Sequence, residues 1–287
     1  MRRLIVTADD FGLALPVNEA VERGYREGVL STASLMVAAP ATSDAIERAR
    51  RLPGLAVGLH VVLVNGRPKL PPERIPLLVG SDGEFQKNLF AAGMRYFFLP
   101  GVRKQLEDEI RAQFAAFAHA GLRLDHVNAQ NHLHVHPTVL SLIMRVGRQY
   151  GMRAVRVPYE PALASWRAMR GNVVPRAATA LGLAPWLMLM RARLRRNGIT
   201  TNDYVFGMHE SGRMTAQRVR KFIENLPHGT SEVYVHPATQ AWPGAEPPDY
   251  DFAGEFNALI DPLVIAAARS PQIERTTFLR LAGSHAS

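Results

Sequence analysis

The sequence predicts an α/β fold: a (β/α) TIM-like barrel, seven- or eight-stranded and distorted, with two long insertions on its catalytic face. Three observations lead there. Short apolar, β-branched runs alternate with longer runs of helical periodicity, and strand-then-helix repetition builds a parallel sheet with crossover helices. At least seven such strands are legible, enough for the sheet to close on itself. No G-x-G-x-x-G follows the first strand, which argues against an open dinucleotide-binding sheet. The 287 residues are read as one domain, 1–287, because single α/β barrels reach this size.

The elements follow in order. LIVTADD (Leu4–Asp10) is the first strand, apolar until it ends at two aspartates. A helix follows over Val17–Gly28, and Gly28 stops it. TASLMVAA (Thr32–Ala39) is the second strand, with a helix over Asp44–Arg51 behind it. AVGLHVVL (Ala56–Leu63) is the third. Residues 65–101 form the first insertion, rich in Gly and Pro and carrying MRYFFLPG (Met94–Gly101). A helix over Lys104–Ala120 leads to a strand at His126–Asn131, and Pro137 opens a helix to Tyr150. Ala154–Pro158 is a further strand. Residues 160–201 are the second insertion, with Trp166, Trp186, the apolar stretch Ala180–Met190 and the cluster RARLRR (Arg191–Arg196). Strands at Asp203–Gly207 and Glu232–His236 are separated by a helix at Ala216–Asn225, and a last helix covers Phe252–Ala268. Loops this long in a compact domain are usually functional. Both insertions follow strands, so both rise from the C-terminal end of the barrel, where active sites lie.

Composition excludes several chemistries. There is no cysteine, so disulfides, thiolate nucleophiles and zinc–thiolate sites are out. The apolar run of MRRLIVTADD is too short for a secretory signal, and Ala180–Met190 is too short to span a bilayer. The expected location is cytoplasmic, peripheral on the inner face of the membrane. Net charge is +9, which favours an anionic partner. The arginine cluster directly follows an apolar stretch and no nucleic-acid motif accompanies it. An anionic membrane surface is therefore ranked above nucleic acid, which is not expected as a partner.

The chemistry gathers at strand ends. Asp9 and Asp10 close the first strand, His60 lies in the third, and His236 closes EVYVHPAT. Four histidines (126, 132, 134 and 136) fall within HVNAQNHLHVHP. In a barrel these groups meet at one rim, and Asp9 and His236 are expected there, outside the core. Two adjacent carboxylates in an apolar context exceed what a helix cap needs. His60 alone reads equally well as a core histidine. His136 reads as a cap for the helix that Pro137 opens, and His126 as structural, because it enters its strand away from the rim. Carboxylate plus imidazole without thiolate suits Zn²⁺, Fe²⁺, Co²⁺, Ni²⁺ or Mn²⁺. A metal polarises a carbonyl and acidifies water, and a separate histidine can protonate a leaving group. Together these parts describe metal-assisted hydrolysis of an amide or ester.

TADDFG (Thr7–Gly12), VGLHVVL (Val57–Leu63), the histidine run from His126 and EVYVHPA (Glu232–Ala238) together resemble the YdjC-like carbohydrate deacetylases. That family includes diacetylchitooligosaccharide deacetylase. The likeness spans nearly the whole chain, with the motifs in family order. Its details are most similar to the branch called hopanoid biosynthesis-associated protein K. The resemblance implies a (β/α) barrel and metal-dependent removal of acetyl from N-acetylated sugars. Carried over by motif, Asp9 is the catalytic base, Asp10 and His60 are metal ligands, and His236 is the opposing acid. Arg156, in AVRVP, matches a family arginine near the pocket and stands with His132 and His134 as substrate-binding residues. The family's third metal-binding histidine opens an H-x-H-x-H pattern. Here that pattern reads Gln130-Asn131-His132-Leu133-His134, so the third ligand falls on Gln130. An amide oxygen coordinates a borderline metal more weakly than an imidazole does. His132 would substitute if the strand ran on, because alternate residues share a face. The implied cofactor is a divalent metal ion, with Mg, Zn, Co and Ni not distinguished.

The expected activity is hydrolytic removal of acetyl from an N-acetylated amino sugar. The apolar, basic insertions point to a lipid-linked substrate of the N-acetylglucosaminyl hopanoid type, with Met94–Gly101 and Leu181–Arg196 forming a surface beside the pocket mouth. The alternative is a catalytically impaired glycolipid-binding protein on a deacetylase scaffold, disabled at Gln130. A non-haem iron enzyme built on His60 and a carboxylate accounts less well for the paired aspartates and the distant His236.

Overall fold

The computed structural model describes residues 1–169 and 173–284. In chain order, β1 (Arg2–Phe11), α1 (Leu15–Glu27), β2 (Thr32–Leu35), α2 (Thr42–Arg51) and β3 (Ala56–Val61) come first. The first insertion adds α3 (Leu89–Phe98) before α4 (Pro100–His119), β4 (Leu124–Ala129) and α5 (Pro137–Gln149). The second insertion is helical, α6 (Ala162–Met169) and α7 (Val173–Arg196), and α7 continues through Pro185. Then follow β5 (Tyr204–Phe206), α8 (Ala216–Glu224), β6 (Gly229–Val235), α9 (Phe252–Ile260), α10 (Pro262–Ala268), β7 (Ile273–Arg275) and α11 (Phe278–Ser284). Residues 170–172 of the second insertion, and the side chains of 173–181, lie outside the described residues.

All strand pairs are parallel, in the order β4-β3-β2-β1-β6-β5. β1 is central. It pairs β6 along one edge from Arg2 to Ala8. Along the other edge it pairs β7 at Arg2–Leu4 and β2 from Thr7 onward. Its middle, Leu4 to Ala8, is buried throughout, which is why a continuous apolar run was needed there.

The ring is completed by a seam rather than a long strand. Val155 bridges Val127 of β4, Ala154 bridges Thr200, and the Val205 N–H of β5 donates to the Tyr159 carbonyl. The expected strand at Ala154–Pro158 therefore reduces to two bridges. The cause is local. Pro158 has no N–H to donate, and the Val157 N–H and C=O are both taken by the Asn202 side chain, at 2.7 and 2.9 Å. The single helix expected over Phe252–Ala268 is also divided. Asp261 is extended and its carboxylate caps α10, accepting from the Leu263 and Val264 N–H groups, and Pro262 follows it.

Both insertions reach the segment after β4. Tyr96 and Phe97 of α3 lie edge-on to His136 at 6.4 and 6.0 Å. From α7, the Trp186 indole N–H donates to the Val135 carbonyl at 2.8 Å. No helix among the described residues is long and apolar enough to cross a membrane.

Candidate active site

Adjacent strand residues point to opposite faces, yet Asp9 and Asp10 reach the same rim. The β1–β2 register slips between Ala8 and Phe11, and Asp10 takes a left-handed φ of 63°. Aspartate tolerates that region better than most residues. The slip turns the second carboxylate toward β3, where Asp10 Oδ1 lies 3.2 Å from His60 Nε2.

Asp9 is buried and almost fully engaged. Its Oδ1 accepts from Ser34 Oγ at 2.9 Å, Asn128 Nδ2 at 3.0 Å and Arg156 Nη2 at 3.0 Å. Among the described residues its Oδ2 accepts only from Arg156 Nη1, at 2.6 Å. An ionised carboxylate oxygen offers about two lone-pair sites, so the free acceptor site of Asp9 is on Oδ2. Burial alone would raise the Asp9 pKa. The Arg156 charge, His60, the Arg156 hydrogen bonds and His236 outweigh it and hold the carboxyl well below the usual range.

Arg156 lies beneath the pocket. It has no exposed surface, and its guanidinium is shared between Asp9 and Glu232, with Glu232 contacts of 2.9 and 2.8 Å. Thr7 Oγ1 donates to the same Glu232 at 2.6 Å, and the guanidinium lies over the Tyr234 ring. Among the described residues its side-chain hydrogen bonds go to Asp9 and Glu232.

The orientation of His60 can be deduced. Asn128 uses Nδ2 to donate to Asp9 and Ser34, so its Oδ1 must face His60 Nδ1, 2.8 Å away. Nδ1 therefore carries the proton, and Nε2 is presented to Asp10. Two acceptors cannot face each other at 3.2 Å unless something positive sits between them, either a proton or a metal ion. Burial lowers the His60 pKa, but the Asp10 hydrogen bond and the charges of Asp9 and Asp10 overcome it and raise the pKa.

The histidine run divides by position. His126 is buried at the strand's entry, between Asp125 Oδ2 at 2.9 Å and Ser34 Oγ at 3.0 Å. The strand stops at Ala129, and Asn131 and His132 are left-handed, with φ of 51° and 53°. The run of strand that would have aligned His132 with Gln130 is thus absent. His132 Nε2 instead meets the Tyr234 hydroxyl at 3.3 Å, and burial followed by the Arg156 charge lowers its pKa to about 3. His134 is buried, with Nε2 3.0 Å from the Arg156 carbonyl. His136 occupies the N-cap position of α5 but makes no side-chain cap bond.

Gln130 donates from Nε2 to the Asn65 carbonyl at 3.2 Å, while its buried Oε1 has no partner among the described residues. Among the described residues no three His, Asp or Glu side chains form a metal-holding cluster. Asp10 and His60 stand together as two groups of the kind that ligate metals, and Gln130 carries a buried amide oxygen of a kind a divalent ion can take. Buried polar atoms are normally paired, so an orphan of this kind calls for a partner.

His236 follows β6 and completes the rim. Its charge acts on both Asp9 and Asp10, and its ring stands 5.5 Å from that of Tyr234. Buried Glu255 of α9 holds the backbone there, accepting from the His236 N–H at 2.6 Å and the Met214 N–H at 3.0 Å. Ser211 lies 3.4 Å from His236 Nδ1 and 2.9 Å from the Tyr250 hydroxyl. Ser34, Asn128, Glu232 and Glu255 are the functional neighbours that the sequence reading passed over. Asn128 had a signal, since it shares the even positions of its strand with His126 and Gln130.

The family model described as YdjC-like protein matches residues 3–269. A carbohydrate deacetylase of Brevibacillus brevis is 34% identical over 55% of this chain and 60% of its own length. A carbohydrate deacetylase of Geobacillus stearothermophilus is 29% identical over 96% of this chain and 97% of its own. Among solved structures, an Enterococcus faecalis V583 protein described in terms of cellobiose-phosphate cleavage superposes with a TM-score of 0.74, at 22% identity and 98% coverage of both chains, which supports the fold. With a match that covers nearly all its length and the motif residues assembled at one barrel rim, the chain belongs to the YdjC-like protein family.

Proposed function

We propose that the protein is a metal-dependent carbohydrate N-deacetylase, hydrolysing the acetamide of an N-acetylated amino sugar. The observation that carries this reading is the Asp9 carboxylate, buried and ionised, with its one free acceptor site on Oδ2 beside the Asp10–His60 pair. Asp9 takes a proton from a water as the water oxygen attacks the acetamide carbon. His236, on the β6 side, gives a proton to the departing nitrogen. The C–N bond breaks, leaving acetate and a free amine. Asp10, His60 and the Gln130 oxygen would hold a divalent ion, which polarises the acetamide carbonyl and acidifies the attacking water. That chemistry is needed here, because a carboxylate as acidic as Asp9 is a weak base.

A lipid-linked sugar is supported by exposed apolar side chains on both insertions. Phe90, Met94, Phe97 and Phe98 of α3 and Met188 and Leu189 of α7 are exposed, beside the segment 132–136 that follows β4. Arg95 and Arg103 lie on the α3 side, Arg193 and Arg196 on the α7 side. Gln130 favours a second reading, a glycolipid-binding protein that has lost the metal.

The test is acetate release, followed by mass spectrometry, from N-acetylated sugars and an acetylated glycolipid with a panel of divalent metals. His236→Ala and Asp9→Asn should each lower turnover by about 10²–10⁴-fold. Asp9 is only 2% exposed, so Asp9→Asn will also cost stability, contrary to its expected place outside the core. His236→Ala is therefore the cleaner variant. A near-wild-type rate in His236→Ala removes the acid from the mechanism, and no acetate with any metal leaves the binding-protein reading.

A further inference from the structure

The end of the barrel away from Asp9 holds a cavity of about 710 Å³, and no step described so far uses it. It opens at the N-terminal ends of β1 and β6, where Arg3 and Thr230 are register partners. Arg153, just before the seam, and Arg195, in the last turn of α7, complete its basic wall. On the apolar side, Leu281 of α11 packs with Ile5, Ala154 and Phe278 in one buried cluster.

The walls are fixed from several directions. The Thr200 N–H donates to the Arg153 carbonyl at 2.8 Å, and the Asp203 N–H donates to the Thr230 carbonyl at 2.9 Å. Asp203 is the one carboxylate among the lining residues, and the protein itself engages both its oxygens. Its Oδ1 accepts from Arg195 Nη2 at 2.8 Å and its Oδ2 from the Thr230 N–H at 2.9 Å. Arg195 turns Nε to Thr201 Oγ1 at 3.1 Å. Arg3 gives only Nε to Glu274, at 3.3 Å in a half-exposed pair. The Arg153 guanidinium makes no hydrogen bond or ion pair among the described residues, and the hydroxyls of Thr200 and Thr230 make none either.

Three guanidiniums and one engaged carboxylate leave two positive charges in excess in these walls. They come from three separate elements, so their mutual repulsion is built in by the fold, and a bound anion relieves it. A phosphate monoester matches the site in charge and in hydrogen bonding. It carries about −1.5 to −2 at neutral pH and three strong acceptor oxygens. The planar fork of arginine donates to such oxygens in pairs. A carboxylate would neutralise only half of the excess. The volume is that of a small-molecule site, about 300–1,000 Å³, and exceeds what a phosphate alone fills. The Leu281 side then faces the organic part of the ligand.

We propose that the cavity at the barrel base binds the phosphate monoester of a small organic molecule, with Arg3, Arg153 and Arg195 around the phosphate. Such a ligand joins the start of β1, the entry to the seam and the end of α7, three places where the ring is closed. The site is independent of the chemistry at the rim, and stands whether or not the protein releases acetate.

Calorimetric titration of the full chain with ribose 5-phosphate, AMP and inorganic phosphate, at constant ionic strength, tests it, with thermal unfolding as the second readout. At least one of the two esters should bind and raise the Tm, because a ligand that binds only the folded chain stabilises it. Ribose and adenosine, which lack the phosphate, should do neither. Arg3→Gln and Arg153→Gln, both at solvent-accessible positions that the fold does not need, should each weaken ester binding by about tenfold, as losing a charge-assisted hydrogen bond does. No binding of either ester at millimolar concentration overturns the site. Inorganic phosphate that binds as tightly as the esters also overturns it, because the rest of the cavity would then contribute nothing. Ester binding that both variants leave unchanged places the anion elsewhere and overturns it equally.

Discussion

The Asn65 carbonyl, 3.2 Å from Gln130 Nε2, decides what a histidine would do at position 130. A metal-binding imidazole needs an acceptor for its other N–H, and this carbonyl is in place to fix the tautomer. Gln130→His should therefore tighten Zn²⁺ or Co²⁺ binding by about tenfold or more, since imidazole suits these ions better than an amide oxygen. Calorimetric titration of wild type, Gln130→His and His132→Ala tests it. If only His132→Ala weakens binding, His132 is the third ligand and Gln130 is not. At this scale the sequence disclosed four groups that the fold brings to one rim: Asp9, Asp10, His60 and His236. It hid their supports. Glu232 reads as one charge in an apolar strand, and its meaning depends on Arg156, which is 76 residues away. Ser34 and Asn128 look ordinary until the amide of Asn128 is seen fixing His60 and Asp9 together.

Elements with their own periodicity were legible, and those held by distant partners were not. β1, β3 and β6 show as apolar β-branched runs because both faces are covered. β7, three residues long, is too short to carry a pattern. The seam at 154–158 looked like a strand because its composition is that of one, and nothing nearby in the chain announces that Asn202 will take its hydrogen bonds. That substitution of a side chain for a strand can be measured. Asn202→Ala leaves the buried Val157 N–H unpaired, leaves the Val157 C=O paired to the Tyr159 N–H, and empties space around them. It should cost roughly 1–3 kcal/mol in denaturant unfolding, as one stranded buried donor would. A loss below about 0.5 kcal/mol, the level of an ordinary surface change, would mean that the seam closes without Asn202.

For the whole molecule, the exposed apolar side chains of α3 and α7 and the net charge of +9 lead to one prediction. The protein should bind anionic liposomes at low salt and lose binding as salt rises, because part of the attraction is screened Coulomb interaction. Indifference to anionic liposomes at low salt removes the main support for a lipid-linked substrate. Volume alone does not locate catalysis here: a cavity of about 710 Å³ lined by Arg3, Arg153 and Arg195 sits at the opposite end of the barrel from Asp9. The Asp9–Arg156–Glu232 bridge has a different consequence. It fastens β1, the seam and β6 together at full burial, so losing Arg156 would strand two carboxylates in the core. A relative that drifted out of catalysis would have to keep Asp9 and Arg156 merely to remain folded. Their presence is then no sign of activity. Of the positions proposed for the chemistry, Asp10, Gln130 and His236 carry little architecture, and a change of trade would be recorded there first.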